Sequence, residues 1–212
     1  MKLIKTALSL SLIVLFSNVF AQLDADVLLK KVIDKTKSYS AIKVDFEYRM
    51  LNTDAGIDEV KEGIVYVKDD AYKLIMAGQT VISDGETIWT YLEDSEEVMI
   101  SDAAEGEDNI TPSRILTSYY EDHKISYVNT RNEEVPGQKT IELKPQEGKK
   151  FAKIQITIDE DKLQIKSFSI IDNGGNEFVY SLNSMEETKD VNENFFTFDE
   201  TAYPDVDVID MR

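Results

Sequence analysis

The chain has 212 residues, 42% of them hydrophobic, and 23 Lys+Arg against 41 Asp+Glu give a formal charge of −18. It is too apolar for a disordered chain, and its acidity argues against the basic face that nucleic acid or an anionic lipid surface requires. With no cysteine and a single histidine, there are no disulfides, thiol nucleophiles or lipid-modified N-terminal Cys, and little material for a metal site.

Lys2 and Lys5 precede an uncharged stretch from Thr6 to Ala21 whose centre, Leu8 to Phe16, is mostly Leu, Ile, Val and Phe. The run is short for a membrane anchor and ends at Val19-Phe20-Ala21, a cleavage-type site. Residues 1–21 therefore read as a secretory signal peptide cleaved after Ala21, and 22–212 as one exported domain. Loss of Lys2 and Lys5 takes the formal charge from −18 to −20. No later stretch approaches the roughly 20 apolar residues of a membrane span.

Asp24 reads as an N-cap, followed by Ala25, Leu28, Leu29, Val32 and Ile33 at the spacing of one apolar helix stripe ending near Ser38-Tyr39. The period then changes to two. Ile42, Val44, Phe46, Tyr48 and Met50 alternate with Lys43, Asp45, Glu47 and Arg49, which predicts a strand with one apolar and one charged face. Strand-like runs follow at 60–67, 71–76, 79–83, 87–92, 97–101, 124–130, 138–144, 151–158, 163–171 and 177–185, separated by turn signals such as Asp84-Gly85 and Asn173-Gly174-Gly175. About eleven short-linked strands imply antiparallel neighbours. A second helix is expected from Thr111-Pro112, with Ile115, Leu116, Tyr119 and Tyr120 on one face. A long antiparallel sheet must curl. The predicted architecture is mainly β with an α lid: an unclosed half-barrel whose helices cover the concave apolar face.

Catalytic chemistry finds little support. His123 follows two acidic residues, no Ser sits in a Gly-x-Ser-x-Gly turn, and pairs such as Glu96-Glu97 and Glu186-Glu187 lie in turns or at strand ends, as a solvated rim would. Asp159-Glu160-Asp161 lacks the Gly and the twelfth-position Glu of a calcium loop, and Asp205, Asp207 and Asp210 read as a loose acidic tail. No catalytic residue, metal or cofactor is expected. The strands of the first half instead carry apolar side chains on both faces, among them Tyr66, Leu74, Met76, Ile82 and Trp89. That is more apolar surface than one packed side needs, and it predicts a cavity or groove.

The segment Ile82-Ser83-Asp84-Gly85-Glu86-Thr87-Ile88-Trp89-Thr90-Tyr91 resembles the LolA-type periplasmic outer-membrane lipoprotein carriers. The resemblance extends to the export signal, the leading helix, Glu62-Gly63-Ile64-Val65-Tyr66-Val67-Lys68, the Thr111-Pro112-Ser113 helix start and Phe195-Phe196-Thr197-Phe198. It implies a non-enzymatic periplasmic chaperone that takes triacylated lipoproteins from a releasing transporter in the inner membrane. Such a carrier passes them to an outer-membrane acceptor, whose identity here is open, and works without nucleic acid, as a monomer. It also implies acyl-chain cavity residues, assigned here to Leu28, Val32, Phe46, Tyr48, Tyr66, Leu74, Met76, Ile82, Trp89, Ile115, Leu116 and Tyr119. The rival reading is a lipid- or lipoprotein-sensing module on the same fold. One departure stands out: in the best-studied branch an Arg after the Val-Lys pair holds the lid, and Asp69 occupies that place here. Protein recovered from the cell envelope is expected to begin at Gln22; intact mass checks this, and a Met1 start would overturn the export reading.

Overall fold

Alternating apolar and polar side chains commit most of this chain to strands, and short turns commit those strands to antiparallel neighbours. The computed structural model describes residues 24–103, 111–117, 123–128, 135–145, 151–189 and 191–212. Helix α1 covers 24–37. A first meander follows: β1 (Ile42–Asn52), β2 (Ile57–Lys68), β3 (Ala71–Met76), β4 (Gln79–Ser83), β5 (Thr87–Leu92) and β6 (Glu97–Asp102). After α2 (Pro112–Thr117) comes a second: β7 (His123–Tyr127), β8 (Gln138–Pro145), β9 (Phe151–Asp159), β10 (Gln164–Asp172) and β11 (Glu177–Glu187). Two 3₁₀ turns, Glu193–Phe196 and Glu200–Ala202, lead to β12 (Asp207–Asp210).

The order β12-β6-β5-β4-β3-β2-β1-β11-β10-β9-β8-β7 forms one twelve-stranded sheet whose ends do not meet. Every pairing is antiparallel except β12 with β6. The two meanders join where β1 pairs with β11. The connection from β6 to β7 therefore runs from near one end of the sheet to the other. Since α2 lies on that connection, topology alone carries it over the body of the sheet.

The helices share one face, called inner here. Ala25, Leu29, Val32 and Ile33 of α1 join Ile42, Val44, Phe46, Val65, Val67 and, from β8–β10, Ile141, Ile154, Ile156, Ile158, Ile165 and Ile170 in the main core. Asp24, expected as the N-cap, is itself helical. The start of α2 is as predicted, with Thr111 Oγ1 accepting from Arg114 N at 3.2 Å. At the β4–β5 turn, Asp84 Oδ1 accepts from Glu86 N and Thr87 N, and Gly85 takes φ +99°, which its lack of Cβ permits.

The outer face of β3–β6 carries a second apolar layer. Register aligns Tyr66 with Lys73, Lys73 with Ile82, Ile82 with Trp89 and Trp89 with Ile100. The C-terminal segment covers this row. The Phe195 ring lies 4.9 Å from Tyr66 with the Lys73 ammonium 4.9 Å from its centroid, and Tyr91 packs on Phe198 and Tyr203. Ile82, Val98, Ile100 and Phe196 are all buried, yet none belongs to the main core. The apolar excess in β3–β6 thus serves two layers, one on each side of the sheet.

The acidic tail is not loose. It ends in a twelfth strand, with Asp207 N bonding Glu96 O and Met211 N bonding Ile100 O, each at 2.9 Å. Its local signal is faint because all four residues are exposed and the strand exists through backbone pairing with an edge. Phe196→Ala is expected to cost about 3–5 kcal/mol of stability. Urea unfolding read by Trp89, the only tryptophan, checks this; an unchanged midpoint would mean that the tail is no part of the core.

Candidate functional site

Between the inner face and α2 lies a cavity of about 150 Å³. Its floor comes from register neighbours: Val44 faces Val65, Val65 faces Leu74, and Phe46 lies one row further along β1. One wall is Phe168, Tyr180 and Leu182 from β10 and β11; the roof is Pro112, Ile115 and Leu116 of α2. Ile115 and Leu116 are 7% and 3% exposed. A helix this short is marginal alone, so its place depends on burying these side chains.

The wall is aromatic. Tyr180 stacks on Phe168 at 4.4 Å and lies 5.1 Å from Tyr48 and 5.9 Å from Phe46. Burial, with a smaller contribution from Tyr48, pushes the Tyr180 hydroxyl from its ordinary 10.0 up to about 12. Burial, then Glu59, also raises Tyr48. The Tyr180 hydroxyl is thus held neutral in a desolvated setting, and among the described residues no charged side chain lines the cavity. Such a surface offers dispersion and burial, not acid–base chemistry.

The acidic groups have structural partners. Glu142 is inclined upward by desolvation, but Gln155, Lys144 and Lys153 outweigh this and hold it below its usual range. Glu187 is held low by hydrogen bonds from Ser40. The His123 ring lies parallel to Phe151 at 6.2 Å. Among the described residues no three His, Cys, Asp or Glu side chains group as a metal site, and no helix is long and apolar enough to cross a membrane.

Of the residues expected from sequence, Phe46, Leu74, Ile115 and Leu116 lie on the cavity wall. Leu28, Tyr48 and Met76 pack against the main core without lining the cavity, and Val32 of α1 is fully buried within that core. Tyr66, Ile82 and Trp89 require correction: their register sets them on the opposite face from Val65 and Leu74, under the C-terminal segment. Side chains alternate along a strand, so Tyr66 and its neighbour Val65 lie on opposite sides of the sheet. Tyr119 lies outside the described residues. Sequence reasoning missed Val44, Val65, Pro112, Phe168, Tyr180 and Leu182. Val44 shared the Phe46 stripe and was available; the last three become neighbours only through the β1–β11 pairing.

Asp69 is exposed in the β2–β3 turn with φ 52°, a conformation that a short polar side chain tolerates. With Asp70, Lys68 and the end of α1 it borders a separate surface pocket, outside the cavity wall.

The family described as outer membrane lipoprotein carrier protein LolA matches residues 77–199. An outer-membrane lipoprotein carrier protein of Glaesserella parasuis is 28% identical over 199 residues, covering 92% of this chain and 90% of that protein. Another, of Shewanella baltica, is 25% identical, covering 84% of each. The crystal structure of an uncharacterized conserved protein from Thermus thermophilus shares the fold, with a TM-score of 0.56 at 12% identity over 88% of this chain and 99% of that one.

Because Tyr180 is raised in the folded state, its contribution to stability is complete below pH 10.0 and is lost as pH rises through about 12. Tyr180→Phe keeps the ring and removes the titration, so its stability should fall less steeply over that interval. Denaturant midpoints measured across the range check this; parallel curves for both proteins would overturn it.

Proposed function

Since the chain belongs to the LolA family of outer membrane lipoprotein carrier proteins, we propose that it shields lipoprotein acyl chains in the inner-face cavity and carries them across the periplasm. The observation that supports this reading best is the apolar space roofed by α2, lined among the described residues without a charge. Its cargo is triacylated lipoprotein, received from a releasing transporter of the inner membrane and passed to an outer-membrane acceptor.

The energetics suit a carrier without an energy source. Each methylene moved from water to an apolar site gains about 0.8 kcal/mol, so an exposed acyl chain of roughly sixteen carbons costs on the order of 10 kcal/mol. Transfer from bilayer to cavity to acceptor never meets that cost, because only differences between apolar environments count. Direction is then set by donor and acceptor. The formal charge of −20 left after loss of Lys2 and Lys5 keeps the shell soluble and repels it from anionic headgroups.

The cavity of about 150 Å³ beneath α2 falls well below the roughly 300–1,000 Å³ of ligand pockets. Loading therefore requires α2 to move. Ile115 and Leu116 occupy space that the acyl chains take, so lid and cargo compete for one apolar surface.

The natural chain has no cysteine, so a pair engineered between α2 and β3 is the only disulfide it can form. Oxidation is expected to block loading of acylated lipoprotein and reduction to restore it; normal loading by the locked protein would overturn the lid role. Leu116→Lys should reduce cargo retention per folded molecule, measured by co-elution of acylated lipoprotein. Unchanged retention would separate α2 from cargo binding.

A further inference from the structure

Two features of the neighbouring strands converge on one cavity side chain, Phe46. The first is Gly63, opposite it on β2. Gly63 is not in the left-handed region, so its backbone does not demand glycine. Space does: an added Cβ would lie 2.6 Å from Phe46 Cζ, and 3.0 Å from Phe46 Cε1 and from the Ile75 carbonyl oxygen. Glycine weakens a strand interior, and its presence marks a close approach. The second is on β11, where register steps from Asp45 opposite Ser184 to Phe46 opposite Leu182, leaving Asn183 unmatched. A bulge re-aims the side chains beside it. Together these features lay the Phe46 ring over Gly63.

The ring stands at a boundary. Along β1 and β2 the inner-face pairs run Ile42/Val67, Val44/Val65, Phe46/Gly63, Tyr48/Lys61 and Met50/Glu59. Phe46 is the last position before a partner on β2 is charged. It is the last lining residue of β1 and β2 toward their hairpin, and Tyr180, 5.9 Å away and one row further along on β11, lines the same end.

We infer that the Phe46–Gly63 pair sets the length of acyl chain the cavity accepts. This rests on reading the cavity as an acyl-chain site. The ring fills a slot over Gly63 that a longer chain would occupy, and the missing Cβ sets how far back the ring lies. A smaller side chain at 46 opens the slot and lengthens the cavity. A side chain at 63 pushes the ring inward and shortens it.

The signature is a levelling-off. Affinity rises about four-fold per buried methylene until the chain meets the wall, and then stops rising. Calorimetric titration of the full mature chain with unbranched fatty acids from about 8 to about 18 carbons, kept below micelle formation, reads this length directly. Phe46→Leu is expected to level off at a longer chain than wild type and Gly63→Ala at a shorter one, with Phe46→Leu added to Gly63→Ala restoring the wild-type length. Synthetic triacylated peptides of matched chain length, run in parallel, distinguish lipoprotein acyl groups from free fatty acids as the ligand measured. An unchanged levelling length in Phe46→Leu, with wild-type binding intact, overturns the inference and leaves the carrier reading standing. Failure of the folded wild-type chain to bind any acyl probe overturns the carrier reading itself. If Gly63→Ala does not fold, Phe46→Leu decides alone: a longer levelling length supports the inference, and an unchanged one overturns it.

Discussion

The pairing of β1 with β11 creates the inner face. Without it the chain is two meanders, each with an exposed apolar side and an unpaired edge. With it, Val44 and Phe46 meet Met185 and Leu182, and the cavity gains its aromatic wall. Ser184 Oγ donates to Asp45 Oδ2 across a sequence separation of 139 residues, beside the bulge that re-aims Phe46. Loop-closure entropy grows slowly with length, so a contact this distant is thermodynamically accessible. Its cost appears in kinetics, where non-local strand pairing slows folding.

Once that sheet exists, its faces need different treatment. Antiparallel sheets commonly pack one face and solvate the other, and β8–β9 follow this pattern. Thr140 and Thr157 share a hydroxyl hydrogen bond at 3.1 Å, and Gln155 and Lys153 contact Glu142 on the outer side. The outer side of β2–β6 instead carries Tyr66, Ile82, Trp89 and Ile100, and the C-terminal segment packs against it with Phe195, Phe196 and Phe198. The inner side of β2 and β3 lines the cavity under α2 through Val65 and Leu74, so these strands carry apolar contacts on both faces.

An unclosed sheet also has to protect its ends. The β12 edge is only four residues long and bears Asp207 and Asp210. Hydrogen bonds from Arg212 hold the Asp210 carboxyl down at about 2, so it stays charged across the neutral range. A short, charged edge discourages strand addition by other chains.

Most of the fold was legible because strand identity is local. Alternation and turn residues located eleven of the strands, and Thr111-Pro112 located α2. The faint exception was β12, whose four exposed residues become a strand only when β6 supplies its edge. The site was half legible. Phe46 and Leu74 lay on readable stripes, and Ile115 and Leu116 on a readable helix face. Tyr66, Ile82 and Trp89 were assigned to the cavity because bulk and apolarity say that a residue is buried without saying on which side. Strand parity settles that, and parity acquires meaning only when another element commits to one face. Here α1 and α2 took one side and the tail took the other. Local periodicity determined which residues form strands; long-range packing decided which of their two faces became the cavity, because a pleated strand is equally able to bury either.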